Sequence, residues 1–184
     1  MVAQVASLDG LEELLRTLPA ATGKPIRILP IGAQGSGKSF LGARLKERLP
    51  EFEVVSPDDT RMDLYRAAHP GEKADYRKLR GFLTSGRQRA VLQSVLQRFH
   101  ESPSRFVYVD QMNLTPSARA PFLMPENFNV AIVLRASLQT ILDRHRQRPD
   151  KAEEIPIEAV ISSVRRLQAP TEDELDLVIG YEAG

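Results

Sequence analysis

The segment Gly32-Ala33-Gln34-Gly35-Ser36-Gly37-Lys38-Ser39 fits the pattern G-x-x-x-x-G-K-[ST]. Its chemistry is phosphate binding. Glycines at these positions let successive backbone N–H groups turn toward one oxyanion, and the following helix N-terminus adds positive potential. Lys38 is expected to reach the β- and γ-phosphates of a nucleoside triphosphate, and the Ser39 hydroxyl to ligate Mg²⁺. Pro30, just upstream, removes a ladder donor from a strand that should be central. It is expected where pairing ends.

Three other constellations can act on such a phosphate. In Ser56-Pro57-Asp58-Asp59-Thr60-Arg61, Ser56 reads as an N-cap, Pro57 as the first helical residue and the acids as first-turn residues. The same spacing puts Arg61 one turn beyond Asp58 on one helix face. There the carboxylate can accept a hydroxyl proton, and the guanidinium can grip a phosphate on the acceptor. Capping and catalysis are compatible, because a cap still positions its neighbours. Next, Phe106-Val107-Tyr108-Val109 runs into Asp110, an apolar strand ending in an acid that can order Mg²⁺ or a basic partner. Last, Arg144-His145-Arg146-Gln147-Arg148 carries arginines at i and i+4 before Pro149. They are either a solvated face or a mobile lid neutralising charge on a transferring phosphoryl group. His69, His100 and His145 have no metal-ligand spacing and read as surface residues.

The elements that must position these residues follow from apolar spacing. Leu8, Leu11, Leu14, Leu15 and Leu18 recur at helical intervals up to Pro19 and Gly23. Ile26 to Ile31 reads as a buried strand, and Leu41, Leu45 and Leu49 as a helix stopped by Pro50. Phe52, Val54 and Val55 suggest a second strand, and residues 61–105 read as helical. Phe106–Val109, Val130–Leu134 and Leu175–Ile179 supply three more strands, with helices at Leu138–Arg148 and Ile157–Gln168. Helices alternating with apolar strands predict an α/β fold, here a five-stranded parallel sheet covered on both faces. Residues 1–25 are expected to be a helical extension, free to cover the fold or to bind a partner or a second copy through Leu8–Leu18. Residues 26–184 are expected to form the P-loop kinase domain.

Composition narrows the class. At 184 residues, with 42% hydrophobic and 27% charged, the chain is long enough for one self-sufficient core and too apolar for disorder. Cysteine is absent, which excludes disulfides, thiol catalysis and Cys-ligated metal. With no apolar run of membrane-spanning length and no signal-like start, a soluble, cytoplasmic protein is expected. Net charge is +1, but it is uneven along the chain. Residues 61–105 hold ten Lys/Arg against four Asp/Glu, and residues 151–184 three against eight. The first segment suits a polyanion, or is simply a solvated face.

The set of motifs resembles the phage-type polynucleotide 5′-hydroxyl kinases, P-loop phosphotransferases that also form the kinase module of bacterial RNA-repair enzymes. The resemblance runs from about Ile26 to Ile179. It rests on Gly32–Ser39, the D-x-x-R of Asp58 and Arg61, the D-x-x-N of Asp110 and Asn113, and the R-x-x-x-R of Arg144 and Arg148. Pro170-Thr171-Glu172-Asp173-Glu174-Leu175-Asp176 resembles that family's last loop and strand. The resemblance implies a P-loop kinase fold with an arginine-bearing helical lid, ATP as donor and Mg²⁺ as cofactor. It implies nucleotide contacts from Gly32, Ala33, Gln34, Gly35, Ser36, Gly37, Lys38, Ser39 and Phe40, and from Arg144 and Arg148. It casts Asp58 as general base toward a 5′-hydroxyl of DNA or RNA, and Arg61 as clamp on the acceptor's phosphate. Asp110 and Asn113 support the acceptor side, and Arg148 lies over the donor phosphates. Phe40 and Met112 stand where the family has threonine, and no phosphatase or ligase motif accompanies the kinase residues. Two other functions fit the same motifs: a kinase of a small hydroxylated metabolite, and a nucleotide-binding switch with no acceptor.

Overall fold

The structure, a computed structural model, describes residues 1–73, 75–147 and 155–182. Six parallel strands form one sheet: β1 (Val2–Val5), β2 (Ile26–Ile31), β3 (Phe52–Val55), β4 (Phe106–Val109), β5 (Phe128–Arg135) and β6 (Leu177–Glu182), in the order β1-β6-β5-β2-β4-β3. The helices are α1 (Leu8–Thr22), α2 (Lys38–Arg48), α3 (Pro57–Ala68), α4 (Tyr76–Phe82), α5 (Ser85–Glu101), α6 (Pro116–Arg119), α7 (Leu138–Arg146) and α8 (Ile157–Arg165).

Alternate residues of the central strands feed opposite faces, as strand pleating requires. Ile26, Ile28, Phe106 and Tyr108 join Leu11, Leu15, Leu41 and Leu45 of α1 and α2 in one cluster. Leu29, Val107 and Val109 join Val91, Val95 and Phe99 of α5 in the other. Both faces are therefore covered. The core also holds Arg27, 2% exposed, whose guanidinium donates to the Ser102 carbonyl at 3.0 Å and lies 6.0 Å from the Phe99 ring centroid.

The expected five-stranded sheet is corrected to six. Val2–Val5 pairs in parallel with β6, Val2 beside Val178 and Gln4 beside Gly180. This edge strand is four residues long and only half-buried on alternate positions, so its local pattern is weak. A Cβ on Gly180 would meet the Gln4 amide oxygen at 2.1 Å, so glycine lets the β1 side chain lie across β6. In α1, Ser7 caps the start, accepting from the Gly10 N–H, and Gly23 at φ 66° ends it. Leu11, Leu15 and Leu18 are buried against the sheet, so this apolar face is used within the fold.

The stretch 61–105, expected to be helical, holds most of α3 and the whole of α4 and α5. His69-Pro70-Gly71 breaks it after α3, with Gly71 at φ 85°. Fresh caps from Asp75 and Thr84 start α4 and α5. Pro30 sits where pairing with β4 has stopped: β2 is registered with β4 only from Ile26 to Ile28, while Pro30 stays beside Ile132 of β5. No described helix is long and apolar enough to cross a membrane.

Candidate active site

β2 is central, and the chain leaving it turns sharply into α2 through the glycine-rich loop. A Cβ on Gly32 would meet Ser36 Oγ at 2.4 Å, and Gly35 and Gly37 have φ of 82° and 104°. Side chains would strain or block this loop. Lys38, 8% exposed, is the first residue of α2. Its ammonium folds back over the loop, donating to the carbonyls of Gly32 at 2.9 Å and Ala33 at 2.8 Å. Burial pulls its pKa down to about 8, and the negative charge of Asp110 opposes that fall. The buried Tyr108 hydroxyl donates to the Lys38 carbonyl at 2.8 Å and pins the start of α2 to β4. Ser39 and Phe40, next in the turn, are exposed.

The Asp58–Arg61 pair is built as its spacing suggests. Ser56 caps α3, its hydroxyl accepting from the Asp59 N–H at 3.2 Å, with Pro57 in the first turn. Asp58 and Arg61 then meet one turn apart, Nη1 to Oδ1 at 2.5 Å, both about half-exposed. Both line a cavity of about 1020 Å³ shared with Gly35, Gly37, Lys38 and Ser39. Asp110 leaves β4 with its N–H donating to the Val55 carbonyl at 2.8 Å, and it lines the same cavity. Ser39 Oγ makes no hydrogen bond among the described residues. Ser39 and Asp110 together suit Mg²⁺, which takes one or two protein oxygens and fills its shell with phosphate oxygens and water.

Asn113 is 2% exposed and left-handed, at φ 51°. Its amide donates to the Pro30 carbonyl at 3.0 Å and accepts from Gln111 at 2.7 Å. The residue thus closes the gap where β4 stops pairing with β2, and it shapes the Asp110 loop from beneath. Behind it lies Arg119, wholly buried, in a two-point ion pair with Glu174 at 2.6 and 2.8 Å. Its third nitrogen donates to the Asn113 and Gln168 carbonyls at 3.0 and 3.1 Å. Sequence reasoning missed this strut, because nothing local marks two charges 55 residues apart as partners.

On the other flank, α7 brings Arg144 to the glycine-rich loop, its guanidinium 3.4 and 3.3 Å from the Gly35 and Ser36 carbonyls. Arg148 lies outside the described residues, and with it the lid expected there. Ser163 of α8 accepts the Gln34 N–H at 3.1 Å, a second support that no motif announced. Charged cavity residues are mostly cationic: Lys38, Arg44, Arg61, Arg144 and Arg166, against Asp58 and Asp110. Such a balance suits an anionic ligand.

Compared by sequence with curated proteins, the chain matches none. Among solved structures it is similar to a gluconokinase from Sinorhizobium meliloti 1021, at 18% identity and a TM-score of 0.58, over 87% of this chain and 83% of that one. It is also similar to a chain of the Pnkp1/Rnl/Hen1 RNA repair complex, at 16% identity and a TM-score of 0.58. That match covers 79% of this chain and 44% of the other. At these identities the likeness is one of fold: an α/β P-loop kinase-like sheet flanked by helices. Residues 28–170, from the central strand to the segment past α8, match the AAA domain family, and the chain belongs to it.

Proposed function

We propose that the protein is an ATP- and Mg²⁺-dependent kinase that phosphorylates the 5′-hydroxyl of a nucleic acid. The observation that carries this reading is the Asp58–Arg61 pair opening into the same cavity as Lys38 and Ser39. A base, an acceptor clamp and a phosphate loop share one space. In the proposed step the hydroxyl oxygen bonds the γ-phosphorus while its proton passes to Asp58. The bond from the γ-phosphorus to the β–γ bridging oxygen breaks, and ADP leaves. Lys38 exchanges its loop carbonyls for phosphate oxygens, and Arg61 gives up Asp58 to hold the acceptor's phosphate. Ser39 and Asp110 would hold Mg²⁺, which neutralises phosphate charge when bound. Arg148 is proposed as the lid arginine over the donor phosphates. A switch without an acceptor would need no carboxylate beside the phosphate site.

Part of the cavity lining suits a nucleoside acceptor. Leu92 of α5 and Met112, 44% and 40% exposed, line the cavity that also holds Arg61. A base can lie on such apolar side chains, and Gln88, Gln111 and Thr115 of the same cavity offer hydrogen bonds to its edge. One observation favours a small acceptor instead. Arg66, Lys78 and Arg98 of the basic stretch are already paired with Asp63, Glu72 and Glu53, which trims the surplus charge open to a polyanion.

The deciding experiment supplies γ-labelled ATP and Mg²⁺ with 5′-hydroxyl DNA, 5′-hydroxyl RNA, nucleoside 3′-monophosphates, nucleotide sugars and gluconate. Transfer to the nucleic acids alone is expected. Acceptors of one, three and eight nucleotides are then titrated against salt. Arg61 plus two or three further phosphate contacts should give a slope of log K against log salt of roughly −2 to −3. Transfer confined to a metabolite, with no dependence on acceptor length, would overturn the reading.

A further inference from the structure

Phe40 is the most exposed phenylalanine of the chain, 69% open to solvent, although it sits in the first turn of α2 directly after Ser39. It lines the cavity that begins at the phosphate loop. Leu8 at the start of α1, Leu134 of β5 and Tyr181 of β6 line that cavity as well. An aromatic face left in water beside a phosphate cradle costs hydration free energy unless a flat partner covers it.

We propose that Phe40 is the stacking platform for the nucleobase of the donor nucleotide. The inference rests on the donor reading of the glycine-rich loop and adds the part of the donor that loop does not hold. The occupant follows from continuity. The loop and the start of α2 hold the phosphates, so the rest of the nucleotide extends from that point along the cavity wall. Phe40, one residue beyond Ser39, presents an exposed aromatic ring at that point of the wall. Phenylalanine offers no hydrogen bond, so its contribution is ring contact and is independent of which phosphate is being transferred.

The chain has no tryptophan, which makes the test direct. The probes are ATP and inorganic tripolyphosphate, which shares the phosphates and lacks the base. Their dissociation constants are measured by calorimetry for the wild type and Phe40→Ala. Base stacking on an aromatic ring predicts that ATP binds Phe40→Ala at least about fivefold more weakly, with tripolyphosphate binding unchanged. Phe40→Trp should restore ATP affinity, and its single indole should change fluorescence on adding ATP but not tripolyphosphate. Because Phe40 is exposed, its truncation removes nothing from the core, and a melting curve checks this. Unchanged ATP affinity in Phe40→Ala would overturn the stacking role while leaving the phosphate loop intact. So would equal weakening for both probes. Binding of neither probe to the wild type would overturn the donor reading and this inference together.

Discussion

Lys38 carries a proton that burial makes easy to lose. Its pKa is about 8 against the ordinary 10.5, with desolvation as the first cause. Above about pH 8 the free protein therefore holds a neutral Lys38, while bound phosphates favour the ammonium. Binding ATP at pH 9 should take up a proton that binding at pH 6.5 does not. Calorimetry in two buffers of different ionisation heat measures that uptake, and Lys38→Ala should abolish it along with phosphoryl transfer. For stability the sign runs the other way: the unfolded chain keeps this proton to about 10.5, so it binds more protons between pH 8 and 10.5. Lys38 thus adds stability as pH rises through that window. The neighbouring acids separate catalysis from capping. Asp58→Asn should lose about 100-fold or more in kcat, the scale of a general base. Asp59→Asn should be near wild type, because only its backbone N–H serves the Ser56 cap. Melting curves and label transfer on both variants test this, and a crippled Asp59→Asn would reverse the assignment.

The start of α2 is set by a close approach between two elements. Gly42 faces the Tyr108 ring of β4, and a Cβ there would lie 2.8 Å from the ring carbon Cε1. Gly42→Ala must push the helix or the ring aside. A cost of about 1–3 kcal/mol in urea unfolding is expected, as for other overpacked cores. Because Tyr108 also holds the Lys38 carbonyl, the same variant should weaken ATP binding although it touches no phosphate. Tyr108→Phe keeps the ring and deletes the hydroxyl. It should weaken ATP binding with a smaller loss of stability, which separates the hydrogen bond from the packing.

At the scale of the whole molecule, Arg119 and Glu174 join the loop after β4 to the segment entering β6. Arg119 is fully buried and Glu174 nearly so, with side-chain exposures of 0% and 14%. Removing one charge strands the other, so Glu174→Ala should cost about 3–5 kcal/mol. The double variant Arg119→Met, Glu174→Leu should recover part of that loss, since no unpaired charge remains. The recovery would be incomplete, because the Asn113 and Gln168 carbonyls also lose their donor. Equal stability of Glu174→Ala and wild type, by chemical denaturation, would remove the pair from the account of this fold.

What the sequence by itself determined is local. Gly32–Ser39 dictates a phosphate loop because its glycines permit φ values other residues resist, and Ser56-Pro57 dictates a helix start whose register aims Asp58 and Arg61 together. Alternating apolar strands and amphipathic helices determined a parallel sheet covered on both faces. The tertiary structure decided the rest. Val2–Val5 becomes a sixth strand only because β6 offers it an edge, and so short a segment carries too few apolar positions to announce itself. The break at His69-Pro70-Gly71 stood in the sequence as plainly as the phosphate loop, yet where α4 and α5 each start is set by the Asp75 and Thr84 caps. Asn113 serves the gap beside Pro30, and Ser163 serves the Gln34 N–H, through contacts spanning 83 and 129 residues. Residue spacing sets backbone angles and the face a side chain shares with its neighbours. Which distant carbonyl or carboxylate then meets it depends on how the layers stack, and no local pattern encodes that.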